Sequence, residues 1–147
     1  VKVIVCFDQK YGIKFNKRRV TRDEQVVRNI IKTIKGQPLY IDESSEKLFR
    51  EYMLDHEPSF FERPKIYVMK DLVHFIQDNP EIKGYCFLEN SYWPPIDNVT
   101  KVITYQWDRE YPADEHFQTD NLKPFKRKRH EMIEGKSHDV IIKTIYF

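Results

Sequence analysis

Ile66-Tyr67-Val68-Met69-Lys70-Asp71-Leu72-Val73-His74-Phe75-Ile76 joins an apolar run to a helix in one step, and this unit decides the fold class. Residues 66–69 suit a strand. Asp71 is a side-chain acceptor placed to cap a short helix whose Leu72, Phe75 and Ile76 share a face. Asn79-Pro80 closes it, because the residue before a proline is driven out of the helical region. The same unit stands upstream. Leu39-Tyr40-Ile41 is a buried strand, Ser44 or Ser45 caps the next helix, and Leu48, Phe49, Tyr52 and Met53 form its buried stripe. Asp55 to Pro64 is the loop between the two units.

Further upstream, Thr21 and Glu24 have capping-box spacing. Val26, Val27, Ile30, Ile31 and Ile34 then recur at helical spacing with Arg28, Lys32 and Lys35 between them, and Gly36 is a natural stop. Val1 to Phe7 is β-branched and apolar at nearly every position, which suits a central strand covered on both faces. The stretch from Tyr11 to Arg19 carries loop chemistry. Downstream, Tyr85-Cys86-Phe87-Leu88 is a fourth strand, and Tyr92-Trp93-Pro94-Pro95 forbids an immediate long helix because prolines lack the donor and clash with the preceding turn. Val99–Trp107, Phe125–Ile133 and Asp139–Phe147 then read as strands with no helix between them. The whole describes one α/β domain over residues 1–147: a mixed sheet, mostly parallel with an antiparallel C-terminal hairpin, flanked by helices.

Composition narrows the classes of function. A chain of 147 residues with 40% hydrophobic and 14% aromatic content can bury a core, and a mean hydropathy of −0.68 argues against a membrane span. Cys6 and Cys86 each sit in an apolar run without metal or redox spacing, and the first apolar run is interrupted by Asp8 and Lys10 before it reaches signal-segment length. A reduced, cytoplasmic location is expected. His56, His74, His116, His130 and His138 show neither His-x-His nor His-Glu-x-x-His spacing, so no metal site is expected. The net charge of +2 points to no polyanion. Only Lys14 to Arg19 and Lys123 to His130 are dense in base, and Asp120, Glu131 and Glu134 dilute the second. A nucleic-acid-binding module therefore stays an alternative, not the favoured one.

The order of elements and several motifs resemble dihydrofolate reductase. Val3 to Ile13 followed by Asn16 looks like that family's first strand and active-site loop, where a Gly-Ile pair precedes an Asn. Residues 66–76 are similar to its strand and helix ahead of the cofactor turn. Asp114-Glu115-His116-Phe117 is similar to its Asp-Thr-His-Phe element, and Gly135-Lys136-Ser137-His138 resembles its final hairpin. On this resemblance Asp23 and Glu24 are the two candidates for the catalytic carboxylate that accepts two hydrogen bonds from the pterin edge. Acids in a first helical turn also serve the helix itself, and register does not choose between the two. Cys6, Ile13, Asn16, Val27, Ile31 and Glu115 would line the ligand cleft. Arg18-Arg19 would give that cleft a basic lip suited to an anionic ligand.

The departures carry as much weight. Reductases of this family hold NADPH phosphates at two helix N-termini, opened by a Gly-Arg-x-Thr turn and by a Gly-Gly pair. Here Ile41-Asp42-Glu43-Ser44-Ser45-Glu46 puts carboxylates at the first, and Leu88-Glu89-Asn90-Ser91 with Pro94-Pro95 replaces the second. NADPH is not expected to bind in the family's manner. The resemblance therefore implies a divergent protein with remodelled dinucleotide sites that binds a small anionic or heterocyclic ligand, or a partner. The enzymatic alternative is NADPH-dependent reduction of dihydrofolate or a related pterin.

Overall fold

The computed structural model describes residues 1–147, the side chain of Ile96 excepted. In chain order the strands and helices are β1 (Lys2–Phe7), β2 (Gly12–Phe15), β3 (Arg18–Arg19), α1 (Glu24–Ile34), β4 (Pro38–Asp42), α2 (Glu43–His56), β5 (Lys65–Met69), α3 (Leu72–Asp78), β6 (Tyr85–Leu88), β7 (Lys101–Trp107), β8 (Glu115–His116), β9 (Lys128–Ile133) and β10 (Ile141–Tyr146). A seven-stranded sheet runs β5-β4-β6-β1-β7-β10-β9, and β3-β2-β8 form a small second sheet. β4 pairs parallel with β5 and β6, and β1 with β6 and β7, while β10 is antiparallel to both β7 and β9. The mostly parallel sheet with its antiparallel C-terminal hairpin is therefore present.

Strand alternation divides the core into two layers. Ile4, Ile41, Phe87, Ile103, Tyr105 and Trp107 face α1 and α2, which contribute Val26, Val27, Ile30, Ile31, Ile34, Leu48 and Phe49. Val3, Cys86, Leu88 and Val102 face the other way, onto Leu72 and Ile76 of α3. The two cysteines lie on neighbouring strands but serve opposite layers. Val5, Phe7, Ile13 and Phe117 join the small sheet to the large one. No helix among the described residues is long and apolar enough to cross a membrane.

Local chemistry shifts several boundaries. Asp23, not Thr21, caps α1: its backbone is extended and its carboxylate accepts the amide of Gln25. Asp42 stands at the N-cap of α2 in place of Ser44 or Ser45. The Asp71 cap of α3 is as expected, its carboxylate accepting the amide of His74. Residues 11–19 are not a plain loop. Asn16 and Lys17, both at positive φ, turn a tight hairpin that pairs β2 with β3, and β8 closes the other side. After β6 the two prolines do prevent a long helix, and only a short 3-10 turn follows at Ile96–Asn98.

Candidate functional site

The carboxyl ends of β1, β4 and β6 open where the strand order reverses, which is where open α/β sheets place ligands. Glu89 follows β6 directly and is buried. Arg19 on β3 meets it side-on, Nε donating to one carboxylate oxygen and Nη2 to the other, each at 2.7 Å. Ser45 on α2 donates its hydroxyl to the same carboxylate at 2.7 Å, and Arg19 also reaches the carbonyl of Ser44. One ion pair thus ties the β2–β3 hairpin to the sheet and to α2. The hydrogen bond to Glu89 holds the pKa of the Arg19 guanidinium above its ordinary value. Burial, and then the Glu89 charge, push the Cys6 thiol up, which disfavours its thiolate. The space enclosed by Cys6, Arg19, Asp23, Val27, Glu89 and Trp107 is only about 20 Å³.

Asp23 lies beside this closed space as the centre of a clamp. One of its oxygens accepts the amides of Gln25 and Lys136. The other accepts the amides of Ser137 and His138, the Ser137 hydroxyl, and Nδ1 of His138 at 3.1 Å. Burial alone would raise its pKa. The amides of Lys136 and Gln25, the His138 side chain and the Ser137 amide outweigh burial and hold the carboxyl down at about 2. An ionised carboxylate only accepts, so Nδ1 of His138 carries a proton, and Nε2 lies 2.8 Å from the hydroxyl of Tyr111. The His138 ring also stacks on Trp107. Gly135 permits this wrapping: a Cβ there would stand 2.2 Å from the carbonyl of His138 and 2.8 Å from Asp23.

Outside the clamp, α1, α2 and the turn before β10 enclose an open groove of about 380 Å³. Val27, Leu48 and Tyr52 form its apolar wall, and Arg22, Glu24, Glu51, Asp55, His56 and Lys136 its charged rim. Glu24 pairs with Lys136 and with His56, and the Lys136 bond first among these lowers its pKa. A second open space of about 550 Å³ lies at the N-termini of α2 and α3, bordered by Asp42, Glu43, Ser44, Lys70, Asp71 and Asn90. There the Asp42 carboxylate accepts from the amide of Leu72 and from the side chain of Asn90, and burial raises its pKa. No group of three or more His, Cys, Asp or Glu side chains among the described residues is placed to hold a metal ion.

Asp23, Cys6 and Val27 thus share one closed space, and Asp23, Glu24 and Val27 share the open groove. Ile31 is in the main core behind them. Ile13, Asn16 and Glu115 belong to the small sheet: Ile13 is buried against Phe7 and Phe117, Asn16 is at the hairpin tip with its amide bonded to Asp114, and Glu115 stands opposite Lys14. Of the expected basic lip, Arg18 is exposed while Arg19 turns inward to Glu89. The residue that sequence reasoning did not pair is Glu89. Its signal was there, an acid directly after the all-apolar strand Tyr85–Leu88, but the partner 70 positions upstream carries no mark in the sequence.

No family model and no curated protein matches the chain in sequence. Comparison of the folds gives a match: the dihydrofolate reductase of Enterococcus faecalis, in a complex with NADP(H) and RAB-propyl, aligns over 99% of this chain and 95% of its own. The TM-score is 0.55 and the sequence identity 8%. The chain has a dihydrofolate-reductase-like fold. The likeness at this identity is one of backbone arrangement, and in that arrangement the Arg19–Glu89 pair and the Asp23 clamp are side-chain features of this chain.

Proposed function

We propose that the protein is a binding module on the dihydrofolate-reductase fold that does not use a dinucleotide and takes a small polar heterocycle in the groove between α1 and α2. The observation that carries this reading is the buried Arg19–Glu89–Ser45 cluster at the carboxyl end of β6, where the resemblance places the Gly-Gly turn of NADPH-binding relatives. A pyrophosphate there would meet a carboxylate in place of free amides. Asp42 and Glu43 put two more acids at the N-terminus of α2, the other expected phosphate position. The residues present do not fit NADP(H). Asp23 gives both oxygens to backbone amides of its own chain, so it has no free edge for a pterin; Glu24, at the rim of the groove, holds only the side chains of Lys136 and His56, which a ligand can displace.

The groove supports a heterocycle because an apolar wall of Val27, Leu48 and Tyr52 can hold a flat ring while Asp55 accepts from its amino groups and Glu24 and Glu51 exchange their basic side-chain partners for it. The test is an amide-shift titration of isotope-labelled protein with 2,4-diaminopyrimidine. Shifts centred on Val27, Leu48 and Tyr52 are expected, and Glu24→Gln should weaken them. Shifts centred on Cys6, Leu88 and Glu89 instead would place the ligand in the inner cleft and contradict the proposal.

A further inference from the structure

The densest basic segment of the sequence becomes β9, the last strand of the large sheet, and its outer edge meets no other strand. Arg127 and Phe147 exchange both backbone hydrogen bonds, at 3.1 and 3.0 Å, so alternate residues from Arg127 to Ile133 turn their amides toward β10. Lys128, His130 and Met132 turn theirs outward. Residues 128–132 are all exposed, Met132 by 74%. Such an edge is a template for another strand unless its charges forbid the pairing.

We propose that β9 pairs antiparallel with β9 of a second copy of this chain, continuing the sheet across a two-fold axis centred on His130. A two-fold perpendicular to the sheet keeps each side chain on its own face, so a residue can only meet one an even number of positions away. Centring on His130 sets Arg129 against Glu131 of the second copy, and does so twice by symmetry. It also sets Lys128 against Met132, and one pair beyond the ladder it sets Lys126 against Glu134. The outward amides of Lys128, His130 and Met132 all find partners in this register. Shifting the axis by one residue would oppose Arg129 to Arg129 or Glu131 to Glu131, so charge selects the register as well as permitting it. The opposite edge offers no such code: β5 follows Pro64, and Lys65 is its single charge. Nucleic acid is the less suited partner, because alternation sends Lys128 to one face of the sheet and Arg127 and Arg129 to the other, with Glu131 among them.

Sedimentation equilibrium of the full chain tests this. Wild type is expected to sediment at twice the chain mass at about 100 μM. Arg129→Glu or Glu131→Arg alone brings like charges together at two places and should weaken the dimer roughly 10-fold or more. The double variant Arg129→Glu/Glu131→Arg restores opposite charges and should restore the dimer. Thermal melts of all three at low concentration establish that each is folded. A wild type that stays monomeric to millimolar concentration overturns the proposal. So does a folded double variant as weak as the single ones, or a monomer held on a polyanion column above physiological salt, which would assign the basic strand to nucleic acid.

Discussion

Asp23→Ala is expected to lower the stability of the protein by about 3–5 kcal/mol, the range for removing one partner of a buried charged network. The variant strands the amides of Gln25, Lys136, Ser137 and His138 and the Nδ1 proton of His138, all of which converge on the two Asp23 oxygens. For a domain of this size the melting temperature should fall by roughly 10 °C or more. Asp23→Asn should do nearly as much harm, since an amide NH2 would then face donors. An acid whose only task were to anchor a ligand would leave the melt unchanged, so a Tm within about 1 °C of wild type would contradict the clamp.

The same residue sets a pH dependence. Its folded pKa of about 2 lies below the ordinary aspartate value, so the folded state holds the ionised form more tightly than the unfolded state does. The stabilisation is complete above the unfolded pKa near 4 and is lost as pH falls from there through 2. It is worth on the order of 2–3 kcal/mol at neutral pH. Denaturant unfolding from pH 7 down to pH 2 should show this loss in wild type and a flatter profile in Asp23→Ala.

Arg19→Ala is expected to cost about 2–4 kcal/mol, because it leaves the Glu89 carboxylate buried with only the Ser45 hydroxyl. Arg19 itself keeps a quarter of its side chain in solvent, which moderates the loss. Arg19→Lys should recover little, since a point charge cannot replace a fork that engages both carboxylate oxygens. Arg19→Met combined with Glu89→Leu should recover most of the stability, because replacing both members of a buried pair by apolar groups removes the stranded charge. Denaturant unfolding of the single and double variants measures this coupling. Losses that simply add would show that the pair does not hold the hairpin to the sheet.

How far the sequence carried the structure depends on the range of the interaction. The β4–α2 and β5–α3 units, the buried stripe of α1 and strand β6 follow from local periodicity, and each stands where the apolar spacing puts it. The cap of α1 lies two residues beyond Thr21 because Thr21 and Glu24 only imitate a capping box, whereas Asp23 is preferred once Lys136, Ser137 and His138 share its oxygens. The β2–β3 hairpin was hidden because Asn16-Lys17 is not the Asn-Gly turn that marks such hairpins. Acids at both expected phosphate turns were visible in the sequence. That one of them is paired with Arg19 depends on a contact between residues 70 positions apart, and no local pattern encodes it.

We propose that the Arg19–Glu89 pair occupies the ground a dinucleotide would need. This is tested most directly by the melting temperature of the wild-type protein with and without NADPH at about 1 mM. No shift is expected. A ligand present at 100 times its Kd adds about 2.7 kcal/mol of stability, so a rise of roughly 5–10 °C would show that NADPH binds after all and would contradict the closed cleft.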